Sequence, residues 1–259
     1  MVPVEEACEE KSVAELYQNA EVAETYVEQR FSRSWNRLLH DTQVAQINQA
    51  IHTYQPELVM EVAPGPARLT TEIRGVTKGV LVEYSHEMLA LAQHRLNQAG
   101  VGSMWDVRHG NAFDLKAQNV QCDFLYTFRF IRHFYEEDRT RIIRSIKTCL
   151  KPGGLLMLDV VNRTVRQKIK AKKRKKMKGT LEVYDVTYSP ENFREEMNAH
   201  GFEVISFVPV IKHFELQTWV SATLDGRLGQ WSDRLVRFLE MLQSSQPLEW
   251  IALCCREQE

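Results

Sequence analysis

The chain has 259 residues, 44% of them hydrophobic and 26% charged, with a formal net charge of −1. That length and apolar content build one full core with decorations or a small cap and exclude a comfortable second catalytic domain. Near-neutrality excludes a global field that gathers nucleic acid or membrane, and five scattered cysteines without CxxC spacing exclude a zinc ribbon and point to a reducing compartment.

The first twelve residues, MVPVEEACEEKS, are acidic and lack an apolar core, and no run of eighteen apolar residues occurs, so a soluble, cytoplasmic protein is expected. Residues 13–51 carry Leu16, Val22, Tyr26, Val27 and Phe31 at mixed three- and four-residue spacing, the pattern of two or three amphipathic helices. Leu58, Val59, Met60 and Val62, with Glu61 among them, suit a short parallel strand buried on both faces. The strand runs into a turn where Ala63, Gly65 and Ala67 let a ligand approach the backbone while Pro64 and Pro66 stiffen it. A helix is expected to start near Pro66, with its free amides facing the turn. Residues 80–82 form a second apolar strand that ends in Glu83, about twenty residues after the turn, where an acid can hold ribose hydroxyls.

Residues 87–99 read as a helix closed by Gly100, followed by a strand at 105–108, the loop HGNAFDL and a strand at 124–128. A helix over 138–150 is expected to stop at Lys151, Pro152, Gly153 and Gly154 before a buried strand at 155–161. The run KIKAKKRKKMK at 168–178, with Lys172, Lys173, Arg174, Lys175 and Lys176 at its centre, reads as an exposed, mobile excursion because such dense like charges repel. Order returns at 181–188, and Ser189, Pro190 and Glu191 give a cap, a first-turn proline and a first-turn acid for a helix ended by Gly201. Strands at 204–208 and 250–255 flank an amphipathic helix around 233–242. Five parallel strands with helical crossovers predict a doubly wound α/β sheet.

An acid, a spaced set of small residues and a second acid ending the next strand resemble the first motif of class I S-adenosylmethionine-dependent methyltransferases of the small-molecule type. Glu61, Ala63, Gly65 and Ala67 fill the first set and Glu83 the second. The chain departs from the family at Ala63 and Ala67, where glycine is commoner. A dinucleotide-binding dehydrogenase needs GxGxxG against a pyrophosphate, which VAPGPA does not supply.

The resemblance implies a Rossmann-like, seven-stranded, mostly parallel sheet that finishes with an antiparallel pair. It also implies a helical cap over residues 1–52, a cofactor-binding domain over 53–259 and a basic lid insertion near 165–188. The cofactor is then S-adenosyl-L-methionine, with Glu61, Ala63, Pro64, Gly65 and Ala67 facing its methionine part and Glu83 accepting from both ribose hydroxyls. Tyr84 and Met88 border ribose and adenine, and Asn111, Ala112 and Phe113 meet the adenine edge, with Asn111 standing where the family commonly has aspartate. Phe128 or Phe130 lines the sulfonium, and Tyr26 and Arg30 of the helical N-terminus reach the cofactor carboxylate. Arg129, Arg132, His133 and Asp159 stand where the acceptor is held, with Asn162 at the same rim. His133 is the candidate base, imidazole being the side chain suited to take a proton near neutral pH.

Each position also has a plainer reading. Glu83 caps the next helix, Met88 is core, Phe113 plugs the sheet edge, Tyr26 belongs to an apolar helix face, and the arginines pair with Glu136, Glu137 or Asp138. His213, Phe214, Trp219 and Trp231 are aromatic positions open to an acceptor pocket. The expected activity is methyl transfer to an O, N or S nucleophile of a small acceptor, and the basic run favours an anionic one. The lesser readings are a methyltransferase-like binding module, or an RNA or lipid methyltransferase whose residues 168–178 hold nucleic acid or an anionic membrane surface. No metal site is expected. Replacing Glu83 by Ala is expected to weaken cofactor binding more than tenfold with folding intact.

Overall fold

Strand β1 (Val59–Val62) is buried at every position and sits inside the sheet of the computed structural model, which describes residues 32–176, 184–226, 228–244 and 246–258. It pairs in parallel with β2 (Gly79–Glu83) on one side and β4 (Cys122–Thr127) on the other. β3 (Trp105–His109) continues beyond β2, and β5 (Leu150–Val161) beyond β4. β7 (Glu249–Arg256) runs antiparallel to β5, and β6 (Phe202–Val210) closes that edge antiparallel to β7. The order β3-β2-β1-β4-β5-β7-β6 is the doubly wound, mostly parallel sheet expected from the sequence. Gly79 permits the close approach of β2 and β3, since a Cβ there would stand 2.4 Å from the Trp105 ring.

Alternation along the strands sorts their side chains into two layers. Met60, Val62, Val80, Val82 and Leu125 face Ile142, Ile143 and Ile146 of α3 (Glu136–Cys149) and Phe193 and Met197 of α5 (Pro190–Ala199). Val59, Leu81, Phe124, Tyr126 and Met157 face the opposite layer. There α1 (Ser34–Tyr54) supplies Leu38, Leu39, Ile47 and Ile51, and α2 (His86–Gln98) supplies Ala92 and Leu96. The same layer takes Val165 of α4 (Arg163–Lys176), Val220 of α6 (Phe214–Leu224) and Val236 of α7 (Gly229–Met241). Each Leu, Ile or Phe buried in either layer stabilises the fold by about 1.5 to 3 kcal/mol. The start of α1 is fixed by Ser34, whose Oγ lies 2.6 Å from Ser221 Oγ and 2.8 Å from Ser232 Oγ.

Four expectations need correction. No α-helix starts near Pro66: Ala67 has φ +53°, which breaks helical continuation, and only a 3-10 turn, Thr70–Glu72, follows. No loop separates α3 from β5, because Leu150 pairs directly with Cys122 and the strand runs through Lys151, Pro152, Gly153 and Gly154. The basic run is helical through Lys176, since Val165 and Ile169, four residues apart, anchor one face in the core while Lys168 and Lys172 are exposed. Its first turn is held by Asn162 Oδ1, which accepts from Thr164 N at 3.0 Å. Finally, two helices rather than one lie between β6 and β7, and α6 is the one the sequence reading missed. Of residues 13–51, the described part forms the single helix α1, and Tyr26 and Arg30 lie outside the described residues.

Candidate active site

In an open α/β sheet, ligands bind outside the carboxyl ends of the strands where the strand order reverses. Here the chain winds outward from β1 to β2 and β3, then returns to β4 and winds the other way, so the switch point lies between β1 and β4. The turn over residues 63–67 stands there. Ala63, Gly65 and Ala67 have φ of 54°, 57° and 53°, so all three small residues are left-handed. Alanine tolerates that conformation at a cost of about 1 kcal/mol per residue, and glycine adopts it freely. A Cβ added to Gly65 would meet no heavy atom within 4 Å, so the space beside the turn is open.

Glu83 closes β2 and reaches across to this turn. Its Oε2 accepts from Gly65 N at 3.0 Å, and its Oε1 accepts from Tyr84 N at 2.8 Å and Ser85 N at 2.9 Å. Burial pushes the Glu83 carboxyl above the usual carboxylate range, while the three amides pull the other way. The capping of α2 falls to Ser85, whose Oγ accepts from Met88 N at 3.2 Å. Beside Glu83, Tyr84 is exposed and stacks on His109, which stacks in turn on His86 with centroids 4.1 Å apart. Met88 is buried.

Glu61 sits inside the sheet under the turn. Thr70 Oγ1 and Tyr126 Oη, the latter at 3.0 Å, both donate to its Oε2. Burial pushes its carboxyl up to about 7, although both hydrogen bonds pull it down. A group whose folded value lies above its unfolded value of about 4.5 adds stability that is complete below pH 4.5 and is lost as pH rises through 7. That loss amounts to about 3 kcal/mol. Urea midpoints measured from pH 5 to pH 8 should therefore fall more steeply in the parent than in Glu61→Gln, which cannot ionise; parallel slopes would refute this burial effect.

Across the switch point, Asn111 Oδ1 accepts from Phe113 N at 3.0 Å, Ala112 is buried, and Phe113 packs edge-on to Phe134 beneath the Arg141 guanidinium. Phe128 is buried beyond Tyr126 at the end of β4. Arg129 then turns the chain at φ 59° and donates its backbone N–H to Asp159 Oδ1 at 2.6 Å.

The following residues form an ionic network that joins β4, β5 and β7. Arg132 Nη1 donates to Asp159 Oδ2 at 2.9 Å and to Glu249 Oε2 at 3.2 Å, and its Nε lies 3.4 Å from Asp185 Oδ1. His133 Nδ1 lies 3.0 Å from Asp185 Oδ1 and 3.1 Å from the Tyr184 carbonyl, and Arg166 pairs with Asp185 Oδ2. Burial alone would raise the Asp185 carboxyl, but the His133 hydrogen bond and the Arg132 and Arg166 charges hold it below the usual range. Burial and the Asp159 charge push Glu249 the opposite way. Arg132 thus pairs with carboxylates distant in sequence. Asp185 and Glu249 were missed by the sequence reading; the only local signal is an acid beside apolar residues in VYDV and in LEWI. Asn162 is structural, since its Nδ2 donates to Pro247 O at 2.8 Å. Phe214 packs edge-on to Trp35 at 5.7 Å, whereas Trp219 and Trp231 are exposed.

Residues 60–158 match the family model described as a methyltransferase domain, and no curated protein matches the sequence. Among solved structures, the chain is similar to magnesium protoporphyrin IX methyltransferase from Synechocystis PCC 6803 with bound SAH. The two share 12% identity and a TM-score of 0.61 over 86% of each chain. It is also similar to the DhpI–SAH complex, at 15% identity and a TM-score of 0.56 over 95% of each chain. Mitomycin 7-O-methyltransferase MmcR gives 13% identity and a TM-score of 0.58, with 95% of this chain spanning 61% of that one. At such identities the likeness is one of fold. The matched domain begins in β1 and ends in β5, so the part of the chain that is similar to a methyltransferase domain contains the switch point with its turn and acid.

Proposed function

We propose that the chain methylates an O, N or S nucleophile of a small acceptor held over the carboxyl ends of β4 and β5. The observation that carries the reading is the hydrogen bond from Gly65 N to Glu83 Oε2, which brings the turn and the acid to one open space. S-adenosylmethionine supplies an activated methyl group on a sulfonium centre. The residues fit such a ligand. The turn offers backbone without side chains, and Oε2 of Glu83 keeps one acceptor position because it takes a single amide. A second ribose hydroxyl shares an oxygen with an amide or displaces Gly65 N. Tyr84 flanks the adenosine, Asn111 offers its amide N–H to the adenine edge, and Phe128 lies toward the methyl side.

Beyond the cofactor, the chain has to align the nucleophile, exclude water and, for a hydroxyl or protonated amine, remove a proton; orientation of this kind contributes about 7 to 11 kcal/mol. His133 is the group proposed for the proton. Its Nδ1–H, donated to the Tyr184 carbonyl with the Asp185 carboxylate 3.0 Å away, favours the tautomer whose Nε2 accepts. Asp159, with Oδ1 and Oδ2 occupied by Arg129 N and Arg132, is a positioning residue that shapes the turn after β4. A helical N-terminal cap contributing Tyr26 and Arg30, and a basic lid favouring an anionic acceptor, complete the reading.

Calorimetric titration with S-adenosylmethionine and with its demethylated product tests the site before any acceptor is known. Both ligands are expected to bind with one-to-one stoichiometry. Failure of both to bind would remove the transferase reading.

A further inference from the structure

A second surface lies on the outer side of α6 and α7. These helices use Gln217, Val220, Ser221, Ser232 and Val236 for internal packing, all of them buried. Among their outward positions are several large apolar residues, beside charged ones such as Glu215, Arg234 and Arg237. Trp219 is 62% exposed, Trp231 59% and Phe238 57%, and Leu216, Leu235 and Leu242 are exposed as well. On α7, Trp231, Leu235 and Phe238 recur every three or four residues and so make one stripe, which exposed Leu242 follows just past the helix end. Single exposed apolar residues need no explanation, but a stripe marks an interaction site.

Beside this stripe stands the most basic element of the chain. Helix α4, RTVRQKIKAKKRKK, carries nine basic residues and no acid. Lys172 Nζ lies 2.5 Å from Glu215 Oε1, which places α4 against α6 one residue before Leu216 and one turn before Trp219. Lys168 Nζ donates to Gln246 at 2.7 Å, just beyond the end of α7, and the Arg234 guanidinium covers the Trp231 ring at 5.3 Å. Basic charge therefore borders the apolar surface on both helices.

We propose that α4, α6 and α7 form a docking face for an anionic lipid membrane surface. Indole and leucine side chains partition into the headgroup region, and each lysine or arginine near an anionic leaflet adds attraction. Single-stranded nucleic acid calls for aromatics interleaved with the basic residues, and here the aromatics stand on α6 and α7 while the lysines stand on α4. A two-fold pairing of copies through the same face would bring two polybasic helices together against their mutual repulsion. No helix among the described residues is long and apolar enough to cross a membrane, so the contact is peripheral.

The test uses the full chain in flotation with vesicles of phosphatidylcholine alone and of phosphatidylcholine with phosphatidylserine. Binding is expected only to the second, with a blue shift of tryptophan emission and release by raised salt. Trp219→Ser with Trp231→Ser, and separately Lys172→Glu with Lys173→Glu, should each lower the partition coefficient at least about tenfold. Circular dichroism is expected to stay unchanged because the two tryptophans are exposed. Absence of vesicle binding, equal binding to both vesicle types, binding of an RNA oligonucleotide in place of vesicles, or a dimer that the tryptophan variants dissociate would each overturn the proposal. No methyl transfer enters the readout, so its outcome is independent of the transferase reading.

Discussion

Arg132→Met is expected to cost the fold about 3 to 5 kcal/mol, because it strips the shared cation from buried carboxylates. The guanidinium side chain is 10% exposed, and Asp159, Asp185 and Glu249 around it are 3%, 4% and 4% exposed. Methionine preserves most of the length and packing of the stem, so the change is mainly one of charge. Arg166 and His133 still compensate Asp185, which leaves Asp159 and Glu249 as the pair most affected. Glu249 is already pushed up by burial and by Asp159, and loss of the Arg132 charge pushes it further the same way. The sign of the pH dependence follows. The deficit relative to the parent is smallest in acid, where Glu249 carries a proton, and grows as pH rises past the unfolded carboxylate range. Urea denaturation at pH 5 and pH 8 checks this, and adding Glu249→Gln should recover part of the loss at pH 8. A parent-like midpoint for Arg132→Met at pH 8 would show that the network contributes little to the fold.

The parts of the molecule legible in the sequence are those whose chemistry is local. The turn from Ala63 to Ala67 is readable because close backbone approach demands small residues in consecutive order, and Glu83 is readable because it ends an apolar strand at a characteristic spacing. The error after Pro66 arose from the left-handed Ala67, a conformation that alanine rarely adopts and that no propensity argument anticipates. α6 was invisible because its outward side carries Leu216 and Trp219, which erases the contrast between faces on which helical periodicity depends. The basic run was misread for the opposite reason. Its like charges suggest repulsion, yet Val165 and Ile169 seat one side of the helix while Gln167, Lys168 and Lys172 are exposed. Glu249 was beyond reach because its partner Arg132 lies 117 residues away, and only the antiparallel placement of β7 beside β5 brings them together.

The structure changes what Glu83→Ala should do. Loss of the carboxylate removes the acceptor proposed for the ribose, so affinity for S-adenosylmethionine and its product is expected to fall more than tenfold, as charge-assisted hydrogen bonds contribute about 1.5 to 3 kcal/mol. Folding should not stay intact, however, because Gly65 N, Tyr84 N and Ser85 N lose their acceptor together. With water entering through the open side of the turn to satisfy part of that demand, the expected cost is about 2 to 4 kcal/mol. Glu83→Gln separates the two effects. An amide has one oxygen, which satisfies most by facing the pair Tyr84 N and Ser85 N, and its NH₂ group then confronts Gly65 N donor to donor. The turn is uncoupled from β2 while the start of α2 stays anchored, so Gln should lose affinity nearly as Ala does but keep more of its stability. Calorimetric titration and urea denaturation on the three proteins provide the comparison. If the Ala variant binds the cofactor like the parent, the ligand is held elsewhere; if Gln binds like the parent, the Gly65 contact does not shape the site.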